Sequence, residues 1–120
     1  MGTGSALPGR VVENRELEGM VDTSDEWIRE RTGIGSRHVS TGETVASLAA
    51  AACGRALADA GRQAEEVELI LAATCSPEEA APCVACRIQS EIGAGNAVAF
   101  DLNAACAGFL FALPTAWAYV

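Results

Sequence analysis

Between Glu43 and Ala60 the apolar positions Val45, Leu48, Ala49, Ala52, Cys53, Ala56, Leu57 and Ala60 recur at helical spacing. That period predicts an amphipathic helix, and Gly61 is a suitable stop. Its many alanines predict close packing against a neighbour. A run without period, "VELILAATC", predicts a buried strand over about Val67–Ala73, and "AVAFDL" predicts a second. Between them "CVACRIQSEIG" reads as a short helix, with Pro82 near its first turn and Gly93 after its end. After the second strand "AGFLFALPTAWAYV" reads as another helix, beginning near Ala107. Strands alternating with helices predict an α/β fold, mostly parallel sheet with helices on its faces and a right-handed crossover.

Nearer the start, "TSDEWIRER" opens a helix. Thr23 followed by Glu26 has the spacing of a capping box, and Asp25-Glu26 suits the positive end of the helix dipole. This helix is predicted to stop near Thr32-Gly33. Residues 1–20 are Gly-rich and short of period, and read as a strand remnant and loop with a turn at Pro8-Gly9.

The chain has 120 residues, 50% hydrophobic and 20% charged, which is a globular composition. The length suits one small domain or a piece of a larger one. The net charge of −8 argues against nucleic acid as a partner, because phosphate binding needs a Lys/Arg excess. No apolar run reaches the roughly 18 residues a membrane span needs. The opening MGTGSALPGR lacks the basic flank and apolar core of a signal peptide, and Ala6 stands where myristoylation wants Ser or Thr. Five cysteines with no export signal point to reduced thiols in the cytoplasm.

Cys106 is the thiol with a local reason to react. It lies where the strand ending near Leu102 turns into the following helix, among Ala104, Ala105, Ala107 and Gly108. Small neighbours permit a tight elbow like that of serine hydrolases. Free N–H groups at a helix start favour thiolate and can donate to an oxyanion. Thioester exchange is chemistry that uses such a site, although a buried packing cysteine fits the spacing as well. Trp27 and Arg31, four residues apart, share a helix face on which an indole can stack on a nucleobase and a guanidinium can meet phosphate. The competing reading is a core-covering Trp beside a solvated Arg.

The stretches "MVDTSDEWIRERTGIGSRH", "PCVACRIQSEIG" and "AFDLNAACAGFLFAL" resemble the 3-oxoacyl-[acyl-carrier-protein] synthase III family, and the likeness runs from Gly2 to Tyr119. The resemblance implies a thiolase-like layered fold, of which residues 1–120 form a partial N-terminal condensing-enzyme domain. It implies that Cys106 takes an acyl group from acyl-CoA and passes it to the carbanion of decarboxylated malonyl-acyl-carrier-protein. It implies that Trp27 stacks on the adenine of coenzyme A, with Thr23 close by and Arg31 near the phosphates. It implies a homodimer, acyl-CoA as substrate rather than a tightly bound cofactor, and no metal.

The resemblance also implies departures. The family's catalytic His and Asn belong to a second half that these residues do not cover, so the chain alone is expected to accept an acyl group but not to condense. Its first strand is expected to be clipped, and an apolar sheet face to be left uncovered. His38 matches a surface loop and is given no role. Pro114 falls inside the last helix, at about 3 kcal/mol if uncompensated. Ala81 stands where the family often has a bulky aromatic, which implies a roomier pocket for branched or longer primers. Three other readings remain: a redox or metal site at Cys83-Val84-Ala85-Cys86, a non-catalytic remnant or interaction subunit, and a polyketide-type condensing enzyme using coenzyme A.

Overall fold

The computed structural model describes residues 1–119, which fall into two compact units, Leu7–Glu43 and Met1–Ala6 with the chain from Thr44 onward. In the smaller unit β1 (Arg10–Glu13) runs directly into a short helix, α1 (Asn14–Glu18). Then come α2 (Asp25–Thr32) and β2 (Ser36–Val39). β1 and β2 pair antiparallel, Arg10 opposite Val39 and Glu13 opposite Ser36. The hydropathy pattern contains β1 as the expected strand remnant but gives no sign of β2 or α1. Each is only four or five residues long, and β2 has no buried residue to mark its period. His38 lies on β2, exposed, with Nδ1 2.7 Å from the Pro8 carbonyl oxygen.

A buried Asn14 ties this unit together. Its Nδ2 donates to Asp25 Oδ1 (2.7 Å) and to the Ile34 carbonyl (2.8 Å), while its Oδ1 accepts from Arg37 (2.6 Å). Every polar atom of this side chain is therefore satisfied, which a buried amide requires.

The larger unit contains α3 (Val45–Ala60), β3 (Leu69–Ala73), α4 (Val84–Ile92), β4 (Val98–Leu102) and α5 (Gly108–Trp117). β3 and β4 are parallel neighbours, Leu69 opposite Val98 and Ala73 opposite Leu102, joined through α4. Ile70 and Ala72 share one face of β3 and enter a core with Ala46 of α3 and Val84, Ala85 and Ile88 of α4. The other face presents Ala73, against which Gly108 begins α5; a Cβ on Gly108 would lie 3.2 Å from that of Ala73. Helices thus cover both faces of the pair. Burying Val84 and Ile88 stabilises by about 1.5–3 kcal/mol each.

Helix α3 starts two residues later than its apolar period implied. Thr44 is the N-cap, accepting from Ser47 N–H while Ser47 Oγ accepts from Thr44 N–H. It ends at Gly61, left-handed at φ 62°. Ala46 of this helix packs with α4, while Ala52, Ala56 and Ala60 meet the irregular segment before the smaller unit. A Cβ on Gly2 would collide with the Ala56 carbonyl, and one on Gly4 with that of Ala52. Only a chain without side chains at those two positions approaches this closely.

Pro114 does not end α5. The helix continues to Trp117, Ala118 N–H reaches the Pro114 carbonyl at 3.1 Å, and Thr115 Oγ1 donates to Phe111 O at 2.7 Å. Val120, included in the predicted helix, lies outside the described residues. The apolar surface left open belongs less to the sheet than to α5, where Phe109, Leu110, Phe111, Leu113 and Trp117 are all exposed. Among the described residues no helix is long and apolar enough to cross a membrane.

Candidate functional site

Cys106 sits in the middle of a 3-10 turn, Ala105–Ala107, that leads straight into α5. Its side chain is exposed rather than packed beneath the helix. The turn is held by Asn103 Oδ1, which accepts from Ala105 N–H (3.2 Å), and by the Ala104 carbonyl, which accepts from Ala107 N–H (3.0 Å). Among the described residues the Cys106 N–H donates to no protein acceptor. Ala105 has φ 46°, the one non-glycine residue described with positive φ. For an alanine this left-handed backbone costs about 1–2 kcal/mol. The chain thus holds strain immediately before the thiol, as a strand-to-helix elbow does.

Two further contacts fix the strand end that feeds this elbow. The Leu102 carbonyl accepts from Thr74 N–H at 3.2 Å. Asp101 accepts from the N–H groups of Val84 (2.9 Å) and Ala85 (2.8 Å), the first turn of α4. Cys83, the N-cap of α4, provides no side-chain cap of its own. The carboxylate of a neighbouring strand takes that role, and Pro82 lies outside the helix rather than in its first turn. A lone charge inside the apolar run "AVAFDL" was the sequence signal for it.

Trp27 and Arg31 lie on α2 of the smaller unit. The predicted capping box is displaced: the N-cap is Ser24, whose Oγ accepts from Trp27 N–H at 3.1 Å, and Asp25 N–H donates to Glu18 Oε1 at 2.7 Å. Thr23 is therefore no cap, because Ser24 takes the extended conformation that ends the preceding loop (φ −143°, ψ 157°). The shared face of Trp27 and Arg31 is present, with the guanidinium carbon 5.7 Å from the indole centre, inside cation–π range. Trp27 is 54% exposed and so covers no core. Asp22, Thr23, Ser24 and Trp27 line one shallow depression of about 390 Å³. Asp25 is held below the usual carboxylate range by Asn14 and then by Arg29, its ion-pair partner at 2.9 Å.

The remaining cysteines differ in kind. Cys53 is half-buried, and burial pushes its thiol up; Cys75 is exposed. Cys83 and Cys86 are half-buried with sulfurs 3.3 Å apart. Cys86 is pushed up by the Cys83 thiol first and then by burial. Among the described residues no three His, Cys, Asp or Glu side chains gather as metal ligands would. Ala81 is exposed in the loop before α4.

No family model matches the chain. Individual relatives do. The beta-ketoacyl-[acyl-carrier-protein] synthase III of Clostridium acetobutylicum is 50% identical over 120 residues, all of this chain and 37% of that protein. That of Hyphomonas neptunium is 52% identical over 116 residues, 96% of this chain and 36% of that protein. Along its whole length the chain is thus similar to part of a 3-oxoacyl-[acyl-carrier-protein] synthase III. It spans little more than a third of the length of these synthase III relatives. The 3-oxoacyl-[acyl-carrier-protein] synthase III of Aquifex aeolicus VF5 superposes with a TM-score of 0.93 at 45% identity, over 96% of this chain and 37% of that one. The priming beta-ketosynthase of the R1128 polyketide pathway gives 0.92 at 42% identity, over 96% and 35%. The fold is thus part of the thiolase-like α/β fold of the synthase III proteins.

Proposed function

We propose that this chain carries the primer-loading chemistry of a 3-oxoacyl-[acyl-carrier-protein] synthase. Cys106 Sγ, as thiolate, attacks the thioester carbonyl of an acyl-CoA. The tetrahedral intermediate collapses with release of coenzyme A as its thiol, leaving the acyl group on Cys106. The Cys106 N–H is a donor for the oxyanion. Trp27 offers a stacking face to the adenine, Thr23 borders it, and Arg31 meets phosphate. The acyl thioester then receives the carbanion formed when malonyl-acyl-carrier-protein loses CO2, giving a 3-oxoacyl-carrier protein and starting a fatty acid chain. That second step draws on a His and an Asn that the longer family members supply from another part of their sequence. Coenzyme A enters as substrate, no tightly bound cofactor or metal is required, and the working form is a cytoplasmic homodimer.

The observation that carries the reading is the exposed Cys106 thiol on a strained elbow at the start of α5. Incubation with a radiolabelled acyl-CoA tests it. Label is expected on Cys106 in the parent and absent from a folded Cys106→Ala variant. Equal labelling of both, or none on the parent, overturns it. A 3-oxoacyl product made by the 120 residues alone contradicts the division of labour.

A second reading, a priming condensing enzyme of polyketide synthesis, is supported by the likeness to the R1128 ketosynthase. It shares the loading step and differs in the fate of the condensed acyl chain.

A further inference from the structure

The Cys83-Val84-Ala85-Cys86 motif is unused by the acyl-transfer chemistry. Its geometry is specific. Cys83 is the N-cap of α4 in extended conformation (φ −66°, ψ 159°), and Cys86 stands on the third helical position. Their sulfurs meet at 3.3 Å. Both are half-buried, neither is in a disulfide, and Cys86 opens onto a shallow depression of about 370 Å³ shared with Gln89, Ser90, Gly93 and Gly95. Asp101 fixes the Val84 and Ala85 amides from outside the turn, so the backbone between the two sulfurs is held whether or not they are bonded. With no third ligand gathered among the described residues, the pair has two-sulfur chemistry available rather than zinc chemistry.

We propose that Cys83 and Cys86 form a dithiol modification site that closes to an intramolecular disulfide by exchange with a low-molecular-weight disulfide. Cys86, reached through its depression, gives up its proton and attacks one sulfur of RSSR, forming a mixed disulfide and releasing RS⁻. Cys83 then gives up its proton and attacks the Cys86 sulfur, forming the Cys83–Cys86 bond and releasing the second RS⁻. The two protons leave with the two thiols RSH, and two electrons pass from the protein pair to the reagent. Closure needs the sulfurs to approach from 3.3 Å to about 2.05 Å, a movement within reach of side-chain rotation.

The test is incubation of the full chain with oxidised glutathione, alkylation of the remaining thiols, and peptide mass spectrometry, in buffer and in urea. In buffer the Cys83–Cys86 disulfide is the expected main product. Its excess over disulfides involving Cys53, Cys75 or Cys106 is expected to fall at least about tenfold in urea, where only sequence proximity brings the sulfurs together. Cys83→Ser should trap glutathione on Cys86. A stable glutathione adduct on either cysteine of the parent overturns the proposal. So does a free Cys83–Cys86 pair after Cys75 has reacted, or an excess that urea leaves unchanged. Because acyl-CoA takes no part, a failure here is independent of the loading reaction.

Discussion

Asp101 caps the helix that Val84 begins: its Oδ2 accepts from the Val84 N–H at 2.9 Å, while Oδ1 takes the Ala85 N–H at 2.8 Å. One carboxylate near the end of β4 thereby satisfies two orphan donors of α4 and complements the positive end of that helix. Cys106 comes shortly afterwards in the chain, so the same contact anchors the strand from which the elbow departs.

Asp101→Ala removes both acceptors at a partly buried site. It is expected to lower unfolding free energy by about 1–2 kcal/mol in urea titrations. Amide exchange over residues 103–107 is expected to quicken. Unchanged exchange there, with α4 alone destabilised, confines the role of Asp101 to capping.

Ala105 is left-handed at φ 46°. Ala105→Gly relieves that strain but loosens the unfolded chain, so the expected net is a gain of at most about 1 kcal/mol. Ala105→Val, β-branched, is expected to lose more than about 1 kcal/mol. Thermal melts of the two variants on opposite sides of the parent are the check.

Gly4 runs against the Ala52 carbonyl with no room for a Cβ. Gly4→Ala forces the segment or the helix to shift, and a loss of about 1–3 kcal/mol is expected by chemical denaturation. A neutral effect means the segment does not hold to α3 in solution.

Glu43 gathers the N–H groups of Gly9 (3.0 Å) and Thr41 (2.8 Å) on its two carboxylate oxygens. Those bonds hold its carboxyl down from an ordinary 4.5 to about 2. A depressed folded value means the stabilisation is fully present above about 4.5 and fades as pH falls towards 2. Carboxyl NMR titration should show the low value, and Glu43→Gln should flatten the acid limb of melting temperature against pH.

Arg31 lies over Trp27, both on the open face of α2. Arg31→Ala is expected to change stability by no more than about 1 kcal/mol, as an exposed cation–π pair does. Under the loading reading it raises the acyl-CoA concentration that half-saturates the single-turnover acylation of Cys106 more than it lowers the limiting acylation rate. Trp27 emission, read in a Trp117→Phe background, should also change, since the guanidinium no longer covers the ring.

The local physics of this chain is written in its order of residues. Apolar period and glycine stops located α3, α4 and both parallel strands. The spacing of Trp27 and Arg31 put them on one face, and the run of small residues marked the elbow at Cys106. These features depend on neighbours a few positions away, which a one-dimensional pattern records. Which oxygen caps which helix was settled only in three dimensions. Ser24 displaced Thr23 because the loop turns one residue later, and Asp101 reached α4 across the sheet. The β1–β2 ladder and the glycines against α3 belong with the Asp101 contact. Each is a contact imposed by packing between segments distant in sequence, and a linear pattern carries no measure of that distance.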